Sequence, residues 1–164
     1  AATAIDRVSQ AREPVADEIA AFAGSDLLCY LADEPGSLVE EQVRQWAPWR
    51  DWAARTHEII LEPVHGIVHR PQDPAAIARV RALALGLDDF TLTGLAMAVP
   101  LLGSAVLGLA VQQGAIGGEA AFDISRIDEA FQERRWGVDS EAAERTSARR
   151  AEAALLERWF KALT

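Results

Sequence analysis

Apolar positions recur at intervals of three and four along most of this chain, and one stretch, Phe90 to Gly118, carries no charge at all. A run of that length is weighed first as a membrane span, because about 20 apolar residues cross a bilayer core. Pro100, Gly94, Gly103, Gly108 and Gly114 interrupt it, however, and carboxylates rather than Lys or Arg flank it at Asp88, Asp89 and Glu119. It reads better as two helices, Leu87 to Val99 and Pro100 to Gln113, with Pro100 opening the second. Each is too short to span a bilayer and apolar on nearly every side, the pattern of helices at the centre of a bundle. Small residues four apart, Gly94 with Ala98 and Ser104 with Gly108, predict close approach of neighbouring backbones.

The flanking segments are amphipathic. Ile5, Val8, Val15, Ile19 and Phe22 fit two short helices or one kinked helix that stops at Gly24. Ser25 and Asp26 offer an N-cap for the apolar turn Leu27 to Tyr30. Ser37 and Glu40 stand at capping-box spacing before a stripe of Val39, Val43 and Trp46, which Pro48 interrupts and Trp49 and Trp52 resume. The three tryptophans serve either as core between two helices or as an aromatic patch that grips a partner. Beta-branched residues on both sides of Pro63 and Gly66 predict one small β-hairpin near residues 58–69. Asp73 and Pro74 start a helix with Ile77, Val80 and Ala84 inward and Gly86 at its close. Ala120, Ile124, Ile127 and Phe131 mark one face of a helix running on to Trp136 and Gly137. A last helix, capped by Asp139, turns Ala148, Ala151, Leu155, Trp159 and Ala162 to one side, with Glu141–Arg145 and Glu157–Lys161 paired four apart. The fold class is therefore mainly α, a helical bundle around a central apolar helix pair.

Charge narrows the function. Sixteen basic residues, of which only Lys161 is lysine, stand against 25 acidic ones and give a net charge of -9. Nonspecific binding to nucleic acid or anionic lipid is disfavoured, and a basic partner surface is favoured. The single Cys29 cannot form an internal disulfide, which favours a reducing compartment, the bacterial cytoplasm or an organelle matrix. It reads as a small core residue, since no base is arranged to activate it. At 164 residues the chain suits one domain.

Candidate chemistry is sparse. His57, Glu58, Glu62, His65 and His69 lie within thirteen positions, yet in strands His65 and His69 would sit about 13 Å apart, too far for one zinc. No metal or cofactor is expected. Asp128 and Glu129 are adjacent carboxylates, but neighbours on a helix diverge by about 100° and do not share a proton. Gly114 to Gly118 follows a helix and lacks the lysine of a phosphate loop. The residues favour a binding domain over an enzyme, with a helical ligand-binding or regulatory domain as one alternative.

Several segments together carry a resemblance: Thr3-Ala4-Ile5-Asp6, Asp26-Leu27-Leu28-Cys29-Tyr30, Gln42 with Trp46, Pro48 and Trp52, Gly103-Ser104, Ser125-Arg126-Ile127-Asp128-Glu129, Phe131-Gln132 and Trp136-Gly137. In this order the chain resembles the assembly chaperones that bind the alpha subunit of the ATP synthase F(1) sector. The resemblance implies a noncatalytic protein that keeps the unassembled alpha subunit from aggregating until it pairs with beta. It also implies that residues 1–164 form the carboxy-terminal helical domain, without the smaller β-rich amino-terminal domain of the family. An acidic position near the tryptophan-glycine pair is associated with function in that family. Carried over, it points to Asp128 or Glu129, with Arg126, Gln132 and Trp136 as further partner-binding residues. The sequence departs from the family pattern at Ala47, Trp49, Arg50, Ala130 and Glu133, which bears on the details of partner contact.

Overall fold

The structure, a computed structural model, describes residues 2–164. Nine α-helices follow one another among them: α1 (Ala2–Gln10), α2 (Arg12–Gly24), α3 (Gly36–His57), α4 (Pro74–Leu85), α5 (Asp89–Leu102), α6 (Ala105–Gln112), α7 (Gly118–Ser125), α8 (Ile127–Trp136) and α9 (Ser140–Ala162). The uncharged stretch becomes the central pair α5 and α6, whose apolar side chains are buried almost throughout. Around it pack α1, α2, α7 and α9, and α4 lies against α2. No helix among the described residues is long and apolar enough to cross a membrane.

The central pair divides three residues later than the proline rule places it. Pro100 lies inside α5, and the chain turns at Gly103, which holds a left-handed φ of 65° and receives Ser104 as the N-cap of α6. Pro48 likewise lies inside α3, which runs unbroken for 22 residues. Both prolines face outward, where water can satisfy the carbonyl each one deprives of a partner, so the helix continues. Glycines make the predicted close approaches. A Cβ on Gly108 would stand 2.5 Å from Val99 Cγ2, and one on Gly94 would stand 2.6 Å from the Phe160 ring. The tightest is at Gly118, where a Cβ would fall 2.0 Å from the carbonyl oxygen of Ala153 in α9.

Three inward faces are rotated from the sequence reading. In α3 the buried row is Leu38, Gln42, Trp46 and Ala53, while Val43 is exposed and the helix starts at Gly36 without a side-chain cap from Ser37. Gln42 is hidden because its Oε1 accepts from Ala32 N at 2.8 Å, tying α3 to the preceding loop. In α9 the inward row is Ala153, Leu156 and Phe160, leaving Leu155 exposed, because the notches at Gly94 and Gly118 receive those positions. In α7 it is Ala121, Phe122 and Ser125, with Ala120 exposed.

The strand signal near residues 58–69 is real but forms no hairpin. β2 (Val64–His65) pairs in parallel with β1 (Tyr30–Leu31), Tyr30 opposite Val64 and Leu31 opposite His65. Ile59 and Leu61 point inward while Ile60 is exposed, the alternation of an extended chain. Its edge is held by a side chain: Gln72 accepts from Glu62 N at 2.9 Å and donates to Glu62 O at 3.0 Å. A second strand is therefore supplied partly by one glutamine amide.

Beneath this shell lies a fully buried carboxylate. Asp26 caps the 3-10 turn Leu27–Cys29 through Leu28 N at 3.1 Å, and its other oxygen accepts from Val106 N at 3.2 Å in the first turn of α6. Burial drives its pKa up to about 6, against the opposing effect of hydrogen bonds from Ser104, Leu28, Val106 and Ala105. Cys29, also buried, has its thiol pushed to about 12 chiefly by desolvation, with Asp26 adding to the effect, so it is an inert core residue.

Candidate functional site

The helix expected from Asp123 to Arg135 is two helices. Ser125 turns its hydroxyl back to the Phe122 carbonyl at 2.6 Å, a local bond that competes with helix propagation. Arg126 then leaves the helical region (φ -112°, ψ 23°), and α8 starts afresh at Ile127. The break gives α8 its own direction, with Ile127 buried, Phe131 packed against the core and the rest of the helix turned outward.

Asp128, Glu129, Gln132 and Trp136 are all exposed, and their spacing places them over one broad outer face of α8. Gln132 Nε2 donates to Asp128 Oδ1 at 3.3 Å, which steadies that carboxylate without neutralising it. Trp136 is 76% exposed, an uncommon position for so large an apolar ring, and Arg135 lies 5.5 Å over it. Gly137 ends the helix with a φ of 82°, and exposed Val138 follows directly. Arg126 stands apart from this row, half-buried at the helix joint, where it donates to Glu133 at 2.7 Å and lies 5.8 Å over the Phe122 ring. The structure thus gathers four of the five expected partner-binding residues on one surface and sets Arg126 on its flank.

On that flank a cleft of about 430 Å³ opens between α8, the first half of α9 and the end of α5. Its lining combines apolar Leu27, Leu101 and Phe122 with charged Arg126, Glu129, Glu133, Arg145 and Arg149. Sequence reasoning missed the two α9 arginines, although their spacing of four on a solvated helix places them on one face.

The histidines go separate ways. His57 Nε2 meets Gln113 Oε1 at 2.7 Å and its ring packs edge-on against Trp52, His65 Nδ1 is 3.4 Å from the Ala32 carbonyl, and His69 Nδ1 is 3.0 Å from the Tyr30 hydroxyl. Among the described residues no three His, Cys, Asp or Glu side chains converge as metal ligands would. Of the clustered tryptophans, Trp46 is core, its indole N–H donating to the Ile124 carbonyl at 2.9 Å; Trp49 and Trp52 are half-buried and pack edge to face.

Comparison with known proteins supplies the family. The model of the ATP12 chaperone protein family matches residues 1–54. The fold superposes on Atp12 from Paracoccus denitrificans with a TM-score of 0.92 at 42% identity, covering 97% of this chain and 68% of that one. An aspartate-to-lysine mutant of the P. denitrificans protein matches with a TM-score of 0.93 at 41% identity, over the same shares of the two chains. Atu1473 of Agrobacterium tumefaciens matches with a TM-score of 0.89 at 34% identity, covering 99% of this chain and 61% of that one. With 42% identity over more than two thirds of the Paracoccus protein, the chain belongs to the ATP12 chaperone family.

Proposed function

We propose that the chain is the carboxy-terminal helical domain of a noncatalytic assembly chaperone, and that it holds the unassembled alpha subunit of the ATP synthase F(1) sector until beta replaces it. An orphan subunit exposes apolar interface that aggregates, and a transient cover must match that interface yet release it. The observation that carries the reading is the outer face of α8, where exposed Trp136 stands beside Asp128, Glu129 and Gln132. A rigid aromatic ring among charges is the composition of a binding hot spot, apolar enough to anchor and polar enough to let go. An acidic face on a chain of net charge -9 also favours a client surface that is locally basic.

The test is suppression of aggregation of purified alpha subunit by the full-length protein, with alpha already paired to beta as control. D128K/E129K should weaken capture by tenfold or more while far-UV circular dichroism stays unchanged and the melting temperature falls by only a few degrees, since both carboxylates are exposed in the first turn of α8. One aspartate-to-lysine exchange in the Paracoccus relative leaves the same architecture. Capture equal to wild type would remove these acids from the partner surface.

W136A makes a separate prediction. Truncating an exposed ring that packs against little of its own protein should change stability by less than about 0.5 kcal/mol. At a hot spot the same truncation should weaken binding by about 2 kcal/mol, or roughly thirtyfold. A melting scan and a titration with alpha subunit read the two effects independently.

A further inference from the structure

The cleft between α8 and α9 holds an arrangement that the exposed α8 face does not explain. Its lining includes three apolar side chains, Leu27, Leu101 and Phe122, among charged ones. Arg126 on one side is already engaged by Glu133 at 2.7 Å. On the other side Arg145 reaches only Glu141, in an exposed pair four residues back at 2.9 Å, and Arg149 has no carboxylate partner among the described residues. Eight other basic side chains hold carboxylates, Arg7, Arg12, Arg55, Arg79, Arg81, Arg134, Arg150 and Lys161, and those without one among the described residues, Arg44, Arg50, Arg70, Arg135 and Arg158, do not line this cleft. A free guanidinium one helical turn from a loosely held one, in a cleft also lined by Leu27, Leu101 and Phe122, is complementary to one kind of occupant.

We infer that this cleft receives a segment of the client polypeptide in which an apolar side chain meets the apolar lining and a neighbouring Asp or Glu pairs with Arg149 and Arg145. The inference rests on the chaperone reading above and names a second contact for the same client. Arginine suits the role because its planar fork meets a carboxylate through two parallel hydrogen bonds. Exchange of Arg145 from Glu141 loses little, since exposed pairs of that spacing are weak. Glu129 also lines the cleft and repels a carboxylate, so the client's acidic group is drawn toward the arginines. The client would then be held at two points of opposite polarity: a basic patch against the α8 acids and an acidic apolar segment against the α9 arginines. Two modest contacts that reinforce each other bind well together and separate readily one at a time.

The probe is purified alpha subunit diluted from denaturant, with the full-length protein present and aggregation followed by light scattering. Half-maximal protection by R145E/R149E should require at least tenfold more protein than wild type at low salt, with the gap narrowing as salt is raised. R149A, which breaks no observed contact, should require severalfold more and melt like wild type, so a folding defect in the double variant cannot mimic the result. A benzophenone side chain introduced in place of Thr146, which also lines the cleft, should cross-link to an alpha-subunit peptide containing an acidic residue next to an apolar one. Wild-type protection by both arginine variants, or cross-links confined to segments without a carboxylate, would overturn the inference while leaving the chaperone reading intact. If the unaltered protein protects no alpha subunit, the reading itself falls and this contact with it.

Discussion

Replacing Asp26 with Ala should lower the stability of the domain by about 2 kcal/mol, a fall in melting temperature of roughly 6 °C for a chain of this size. Two effects oppose each other. Removing a buried carboxylate relieves its desolvation, which is what lifts its pKa to about 6. Removing it also strips the acceptor from Leu28 N and Val106 N in a dry interior, and each orphaned donor costs about 1–3 kcal/mol. The second effect wins because the carboxylate is shared by two elements far apart in sequence, so its loss unpins both.

The same residue predicts an unusual pH dependence. The folded pKa of about 6 lies above the ordinary 3.8, so between these values the folded state binds more protons than the unfolded one. Stability therefore rises as pH falls from above 6 toward 4, by up to about 3 kcal/mol from this group. Asp88 and Glu157 act in the opposite sense: the first is held low chiefly by the Thr91 N–H and the second by Lys161, so their contribution is lost as pH drops through the ordinary carboxylate range and below. The contribution of Asp26 is isolated by comparison with Asp26→Asn, which keeps the size but cannot titrate. The urea midpoint of wild type relative to that of D26N should rise as pH is lowered from 7 to 4.5. A constant gap would mean that the carboxyl group titrates alike in both states.

Gly118→Ala should be the most damaging single methyl addition in the molecule. The new carbon would lie 2.0 Å from the Ala153 carbonyl oxygen and 2.6 Å from its carbon, both backbone atoms that cannot rotate away. α7 and α9 would have to separate, stretching the bond by which Gly118 N donates to Glu157 Oε2 at 2.7 Å. Overpacking against backbone places the loss at about 3 kcal/mol or more, and hydrogen exchange should quicken first in α7 and α9. Gly36→Ala is the control, because nothing lies within 4 Å of the added carbon and the position opens a helix. Equal melting of G118A and wild type would show that the two helices are not locked at this point.

Much of this architecture was legible along the chain. Asp73 with Pro74, Asp88, Asp139 and Gly86 mark helix ends as local chemistry says they should, through hydrogen bonds within three residues. The charge-free stretch announces the centre of the bundle because no other place could hold it. What was not legible is non-local. Nothing near Val64 says that its partner is Tyr30, and no spacing reveals that one aspartate serves both Leu28 and Val106. The inner face of α9 was misjudged because alanine and leucine surround it on several sides, and the choice is made by notches at Gly94 and Gly118 in other helices. Asp128, Glu129 and Gln132 lie off the apolar row that Ile127 and Phe131 mark, so their outward placement is local, while the exposure of Trp136 and the cleft on the flank of α8 depend on how α9 lies across the end of α5.

That last helix has a temporal side. Phe160 seats in the hollow above Gly94 in the apolar interior, so α9, which follows every other helix described, closes over a centre made well before it. A nascent chain halted between α5 and α9 would carry its most oily surface unsealed, and would itself need shelter until α9 emerged.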